Sequence, residues 1–285
     1  MAASFVLYVS FLLQNTFNAV LLLSCFFLTI SVYNINKLTD LHEDLINAPE
    51  RASFVKRNQT AITLGVVGTY AIALFCAYLC NLYEVGVVLL PLCADVLYSV
   101  RLFDFRLKDV LVMKNIVIAG TFACMAVLMP LASHLNGYSL EIPPSSLRVA
   151  ALLAYFIFFK IFINTVVFDV RDIDGDRLAD IVTIPVSLGR AKTKRVLLAL
   201  NATFVPWLLF AGLEGFFLKS VLVLGASVVY GYWYIVHFCK QGVLPRKSWD
   251  LMVDGEWVLI AVLLTLVALT PIGLANEVAP VLVIL

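Results

Sequence analysis

The stretch LRVAALLAYFIFFKIFINTVVFDVRDIDGDR, residues 147–177, decides the fold. From Leu147 to Phe168 it is apolar for about the 20 residues that cross a bilayer, with Arg148 near its start and Lys160 and Asn164 inside it. It then turns acidic at once, through Asp169, Asp172, Asp174 and Asp176. Such a segment reads as a membrane span whose end emerges at an acidic surface.

The rest of the chain repeats the pattern. Its 285 residues are 62% hydrophobic and 14% charged, whereas soluble domains have about 45–50% and about 25%. The mean hydropathy of +0.98 leaves no segment polar enough for a separate soluble domain. Further apolar spans run near Asn18–Asn36, Thr60–Leu82, Val85–Val100, Val110–Leu131, Val196–Leu213, Phe217–Phe238 and Trp257–Leu274, and Ala3–Leu13 makes a short first one. The expectation is an all-α, polytopic membrane helix bundle of about nine transmembrane helices, one integral membrane domain over residues 1–285. No Lys or Arg precedes the apolar Phe5–Leu13 segment, which argues against a secretory signal.

Charge sorts by side. Arg51, Lys56 and Arg57 follow the second span, Arg101, Arg106, Lys108 and Lys114 the fourth, Arg171, Arg177 and Arg190 to Arg195 the sixth, and Lys240, Arg246 and Lys247 the eighth. The opposite loops hold little beyond Arg148 and Lys219, so the charged loops are expected in the cytoplasm. Acidic loops follow the second and sixth spans and basic loops the fourth and eighth, which suggests two four-helix units plus one helix around a central cavity. A formal net charge of +1 exerts no general pull on nucleic acid. The six cysteines lack zinc-type spacing and read as small hydrophobes.

Two constellations carry the chemistry. Asn36, Asp40 and Asp44 recur every fourth residue, and Asp169, Asp172 and Asp176 follow i, i+3, i+7 spacing, so each set shares one helical face. Stacked carboxylates repel unless a cation compensates them. Hard oxygen ligands suit Mg²⁺, which keeps several waters and is commonly shared with substrate phosphates. Two such faces opposite each other point to a diphosphate held by magnesium. A cation-coupled secondary transporter is the rival, but it would place acid near the midplane, whereas these carboxylates lie at helix ends on one side.

The residues resemble the UbiA superfamily of intramembrane prenyltransferases, whose aspartate-rich motifs read NxxxDxxxD and DxxDxxxD. Asn47-Ala48-Pro49-Glu50-Arg51 looks like the family's NxPxR stretch, and Arg171 to Arg177 followed by Thr183 to Gly189 resembles its RDIEGDR and TLPVxLG run. Tyr98-Ser99-Val100-Arg101-Leu102 resembles YSxxL, with Phe103 where a Lys often follows, which leaves Arg101 or Lys108 as the basic contact. Lys37 and Asp180 also depart from the usual pattern. The resemblance implies an enzyme that transfers a prenyl group from an isoprenyl diphosphate to a lipophilic acceptor, an aromatic quinone precursor or a lipid-like alcohol. It implies Asn36, Asp40, Asp44, Asp169, Asp172 and Asp176 as Mg²⁺ ligands, with Asp40, Asp44, Asp172 and Asp176 central to catalysis and Arg51 and Arg171 at the substrate. Tyr98, Phe158, Phe159 and Phe162 are candidates for an aromatic wall around a carbocation. Lys160 and Asn164, polar inside a span, either face the substrate cavity or, for Lys160, pair with an acidic neighbour.

Overall fold

The structure is a computed structural model that describes residues 18–99, 110–135, 144–178, 181–218, 220–240 and 249–269, together with Val6 and Val9. Every regular element among the described residues is helical: α1 (Ala19–Thr39), α2 (Leu41–Asn47), α3 (Pro49–Arg57), α4 (Gln59–Cys80), α5 (Leu82–Ser99), α6 (Met113–His134), α7 (Pro144–Leu178), α8 (Ile184–Ala202), α9 (Phe204–Leu213), α10 (Val221–Phe238) and, after a π-helical turn at Asp250–Asp254, α11 (Gly255–Leu269).

Local chemistry sets the boundaries. The Asn18 side chain accepts from the Leu21 backbone N–H at 3.0 Å and caps α1. Pro49 opens α3 and Pro185 stands in the first turn of α8, where a missing N–H costs nothing. Gly189 holds a left-handed φ of 75° and kinks α8, a conformation that suits glycine.

Six helical segments are long and apolar enough to cross a membrane: Ala19–Thr39, Gln59–Cys80, Met113–Ser133, Ser145–Leu178, Ile184–Leu213 and Val221–Phe238. The span expected at Val85–Val100 appears as α5, which contains Pro91 and whose apolar part, Leu82–Ala94, is shorter. The last expected span appears as α11, to Leu269; its remainder, and the first span apart from Val6 and Val9, lie outside the described residues. Leu64, Val67, Phe75, Tyr78, Leu222, Val229, Leu259 and Leu266 are exposed. So much outward apolar surface belongs in lipid, and the protein is integral to the membrane.

Two apolar clusters form the interior. One joins Leu21, Cys25 and Leu28 of α1, Tyr70 and Ala73 of α4 and Val88 of α5 to Met125 and Met129 of α6. The other runs from α6 through α11, with Phe156, Ile163 and Val167 of α7 at its heart. The division falls at α6, which packs on both; α11, expected to stand outside the two units, joins the second cluster, as does Val9 of the first expected span. Inside the first, Ser24 and Ser31 donate to the carbonyls of Ala73 and Val66 at 2.9 and 3.0 Å, tying α1 to α4 through small polar side chains.

Helix α7 is the longest element. Its 35 residues span about 52 Å at about 1.5 Å per residue, well beyond a hydrocarbon core of about 30 Å. The acidic segment is therefore not a loop after the span, as the apolar run alone suggests, but the helix itself continued to Leu178.

Candidate functional site

The first motif crosses a junction rather than lying on one unbroken helix. Asn36 is in the last turn of α1, Asp44 is in α2, and Asp40 stands between them with φ −94° and ψ 11°. The hydrogen-bond register nevertheless continues: Asp40 N–H donates to Asn36 O at 2.9 Å, Asp44 N–H to Asp40 O at 2.9 Å, and Ala48 N–H to Asp44 O at 2.7 Å. That continuity keeps the four-residue spacing of the side chains through the bend. All three are half-buried. Arg51 Nη2 donates to Asp44 Oδ1 at 2.6 Å, and Thr39 Oγ1 donates to Asp40 Oδ1 at 3.1 Å.

The second motif forms the last turns of α7. Asp169 is buried, and both its oxygens accept: Oδ1 from Lys114 Nζ at 3.1 Å and Oδ2 from Asn115 Nδ2 at 2.8 Å. Asn115 also donates to Thr165 Oγ1 at 3.1 Å. Arg171 grips Asp172 through Nε at 3.1 Å and Nη2 at 2.9 Å while its guanidinium lies 4.8 Å from the Phe168 ring centre. Asp176 is buried, with Asn47 Nδ2 donating to its Oδ1 at 2.9 Å and Thr183 Oγ1 to its Oδ2 at 3.4 Å.

The Asn47 to Asp176 bond brings the two motifs together, joining the end of α2 to the end of α7. The helices meet so closely there that a Cβ on Gly175 would collide with the Asn47 side chain. Among the described residues no three His, Cys, Asp or Glu side chains form a cluster that could hold a metal ion. Arg51, Arg171 and Lys114 each neutralise one motif carboxylate.

At 100° per residue, Tyr155, Phe158, Phe162, Thr165, Asp169, Asp172 and Asp176 share one face of α7, and Lys160 and Asn164 lie on the opposite face. Along the first face, between α6 from Gly120 to Leu128 and α7 at Ala154, Tyr155 and Phe158, lies an open, nearly wholly apolar groove of about 360 Å³. The Phe158 and Phe162 rings stack at 6.3 Å, and Tyr155 and Phe159 touch at 4.7 Å. On the opposite face the buried Lys160 meets an acidic partner, Glu256 of α11, at 2.7 Å, and Asn164 meets the Tyr234 hydroxyl at 2.6 Å.

The Tyr98 side chain, Arg101 and Lys108 lie outside the described residues. Sequence reasoning passed over Asn47, Lys114, Asn115, Thr183 and Glu256 as site or network residues. Asn115 and Glu256 carried a signal, being polar groups within or at the head of apolar spans. Lys114 was indistinguishable from the cations that set topology.

The UbiA prenyltransferase family profile matches residues 1–249 of the chain. No curated protein matches it. Among solved structures, a UbiA homologue from Archaeoglobus fulgidus bound to GPP and Mg²⁺ superimposes with a TM-score of 0.63 at 17% identity, over 98% of this chain and 94% of that one. The homologue bound to DMAPP and Mg²⁺ gives 0.61 at 19% identity, over 99% and 94%. Digeranylgeranylglyceryl phosphate synthase gives 0.60 at 14% identity, over 98% and 93%. At these identities the likeness is one of fold.

Proposed function

The chain belongs to the UbiA prenyltransferase family, and from that premise we propose that it carries out magnesium-dependent transfer of a prenyl group from an isoprenyl diphosphate to a lipophilic acceptor, an aromatic quinone precursor or a lipid-like alcohol. The observation that carries this reading is the hydrogen bond from Asn47 to Asp176, which joins the two acidic motifs at the end of α7, on the helix face whose earlier turns, at Tyr155 and Phe158, line an apolar groove. An isoprenyl diphosphate asks for that combination: compensation for a highly charged head, and a dry trough for a hydrocarbon tail.

The donor set suits the metal. Asn36, Asp40, Asp44, Asp172 and Asp176 offer only carboxylate and carboxamide oxygens, the hard ligands Mg²⁺ takes, and all but Asp176 are half-buried and so within reach of an incoming ion. These residues would hold it. Magnesium, when bound, draws charge from the diphosphate and so eases its departure as a leaving group. Asp169, enclosed by Lys114 and Asn115, instead joins α7 to α6 beside the metal ligands.

Arg51 and Arg171 are forked donors already at the motifs, on Asp44 and Asp172, and can turn to phosphate oxygens of the head. The tail lies along the α7 face below Asp169. There the Tyr155, Phe158 and Phe162 rings exclude water, the competing nucleophile, and offer aromatic faces to a developing allylic cation. The Lys and Arg residues of α3 and α8 flank the acidic end, which supports placing it on the cytoplasmic side. A cysteine introduced beside Asp44 is expected to label only from that side.

Binding of geranyl diphosphate to the purified protein, with and without Mg²⁺, tests the reading. Binding that appears with Mg²⁺ and vanishes on chelation is expected; folded protein that binds under neither condition rejects it.

A further inference from the structure

Lys160 is the only buried cation among the described residues. Its ammonium lies 2.7 Å from Glu256 Oε1 and donates to the Ser227 carbonyl at 2.7 Å, and Ser227 Oγ donates to the same carboxylate oxygen at 2.9 Å. One turn further along α7, the Asn164 carboxamide bonds the Tyr234 hydroxyl, and with its oxygen turned to Trp257 it also accepts from the indole N–H. Asn201 of α8 donates to Val228 O at 3.0 Å. A Cβ on Gly231 would lie 2.5 Å from Asn201 Oδ1 and 2.9 Å from Lys160 Nζ, so only glycine leaves room for these polar heads. Polar side chains thus tie α7 to α10 and α11 on the face turned away from its aspartates.

Two physical facts give this arrangement a purpose. Inside a membrane an apolar side chain gains little by choosing a protein neighbour over lipid, so apolar packing alone sets the rotation of a helix about its axis only weakly. A buried ion pair adds little net stability once desolvation is counted, yet it is badly disrupted when one partner is lost, which makes it a better selector of one arrangement than a source of strength. Turning α7 by one residue, 100°, would separate Lys160 from Glu256 and carry Asp176 away from Asn47.

We propose that Lys160 is a positioning residue: its pairing with Glu256, supported by Asn164 with Tyr234, sets the rotation of α7 and holds Asp172 and Asp176 toward Asn47 and the first motif. The catalytic consequence rests on the motifs being the diphosphate site; the geometric claim does not.

A disulfide reporter separates the two. A Cβ at Gly175 would lie 2.7 Å from Asn47 Cγ, within reach of a bridge between cysteines at these positions. Asn47→Cys with Gly175→Cys should crosslink on oxidation, against each single-cysteine control. Adding Lys160→Met with Glu256→Leu, a neutral apolar replacement, should abolish most of the crosslink. Glu256→Asp, which keeps a carboxylate for the Lys160 ammonium, should keep it.

In the chain without the reporter, Lys160→Met with Glu256→Leu should raise the Mg²⁺ concentration for half-maximal geranyl diphosphate binding about tenfold, as loss of a supporting shell does, and Glu256→Asp should not. Crosslinking in the neutral double variant equal to its parent overturns the proposal. If that variant does not accumulate, the same comparison with Lys160→Met alone decides. If the crosslink behaves as expected but the native chain binds no geranyl diphosphate, the substrate reading falls and the positioning role stands.

Discussion

The two acidic motifs carry the same chemistry on different frames. The first bends at Asp40, is half-buried, and pairs Asp44 with an arginine from the next short helix. The second completes one long helix; Asp169 and Asp176 are each 3% exposed, and their partners Lys114, Asn115, Asn47 and Thr183 come from three other segments. The second motif is thus a wall assembled in advance, with its hydrogen bonds already satisfied. The first is held mostly by local backbone bonds and has room to adjust around a ligand. A site of this kind combines preorganisation on one side with compliance on the other.

The strongest way to break the comparison is to remove a carboxylate from each frame. Asp40→Ala, Asp44→Ala, Asp172→Ala and Asp176→Ala are each expected to lower turnover by about 10²–10³-fold, the scale of losing one preorganised electrostatic contact, with the protein still membrane-inserted and folded by size-exclusion profile. Full activity in both variants of one motif would confine the site to the other. Asn47→Ala removes the bridge but no motif carboxylate, and should weaken Mg²⁺-dependent binding of geranyl diphosphate by about 10–100-fold, as outer-shell losses do. Gly175→Ala drives a methyl group into Asn47 and should produce a similar but smaller defect, read by the same titration.

The mildest change sharpens the contrast most. Asp169→Asn keeps an acceptor for Lys114 or Asn115 and is expected to cost less than about tenfold in kcat/KM, far below loss of a metal ligand. A loss as large as that of Asp172→Ala would make Asp169 a ligand, as its spacing in the sequence suggests. Lys114→Met, which leaves the Asp169 carboxylate buried without its cation, should destabilise the protein by about 3–5 kcal/mol, read as a lower Tm in detergent.

What could be read from the sequence alone follows from interactions between near neighbours. Apolar runs long enough to span lipid determine helices, loop cations supply an expectation of sidedness, and the four-residue recurrence of Asn36, Asp40 and Asp44 determines a shared face that survives the bend at Asp40 because the backbone register does. The Arg51 to Asp44 pair is local in the same way. The continuation of α7 through Asp176 was less legible, since a turn to charged residues marks the end of an apolar run and not the end of a helix.

The tertiary structure alone decided who partners whom. Asn47 reaches Asp176, Lys114 reaches Asp169, and Lys160 finds Glu256. Each pair is far apart in the chain, and composition around a lysine does not distinguish a cation that sets topology from one that neutralises a buried carboxylate. That distinction arises only when helices pack, because a polar group taken out of water and lipid alike must be satisfied by whatever neighbour the packing supplies.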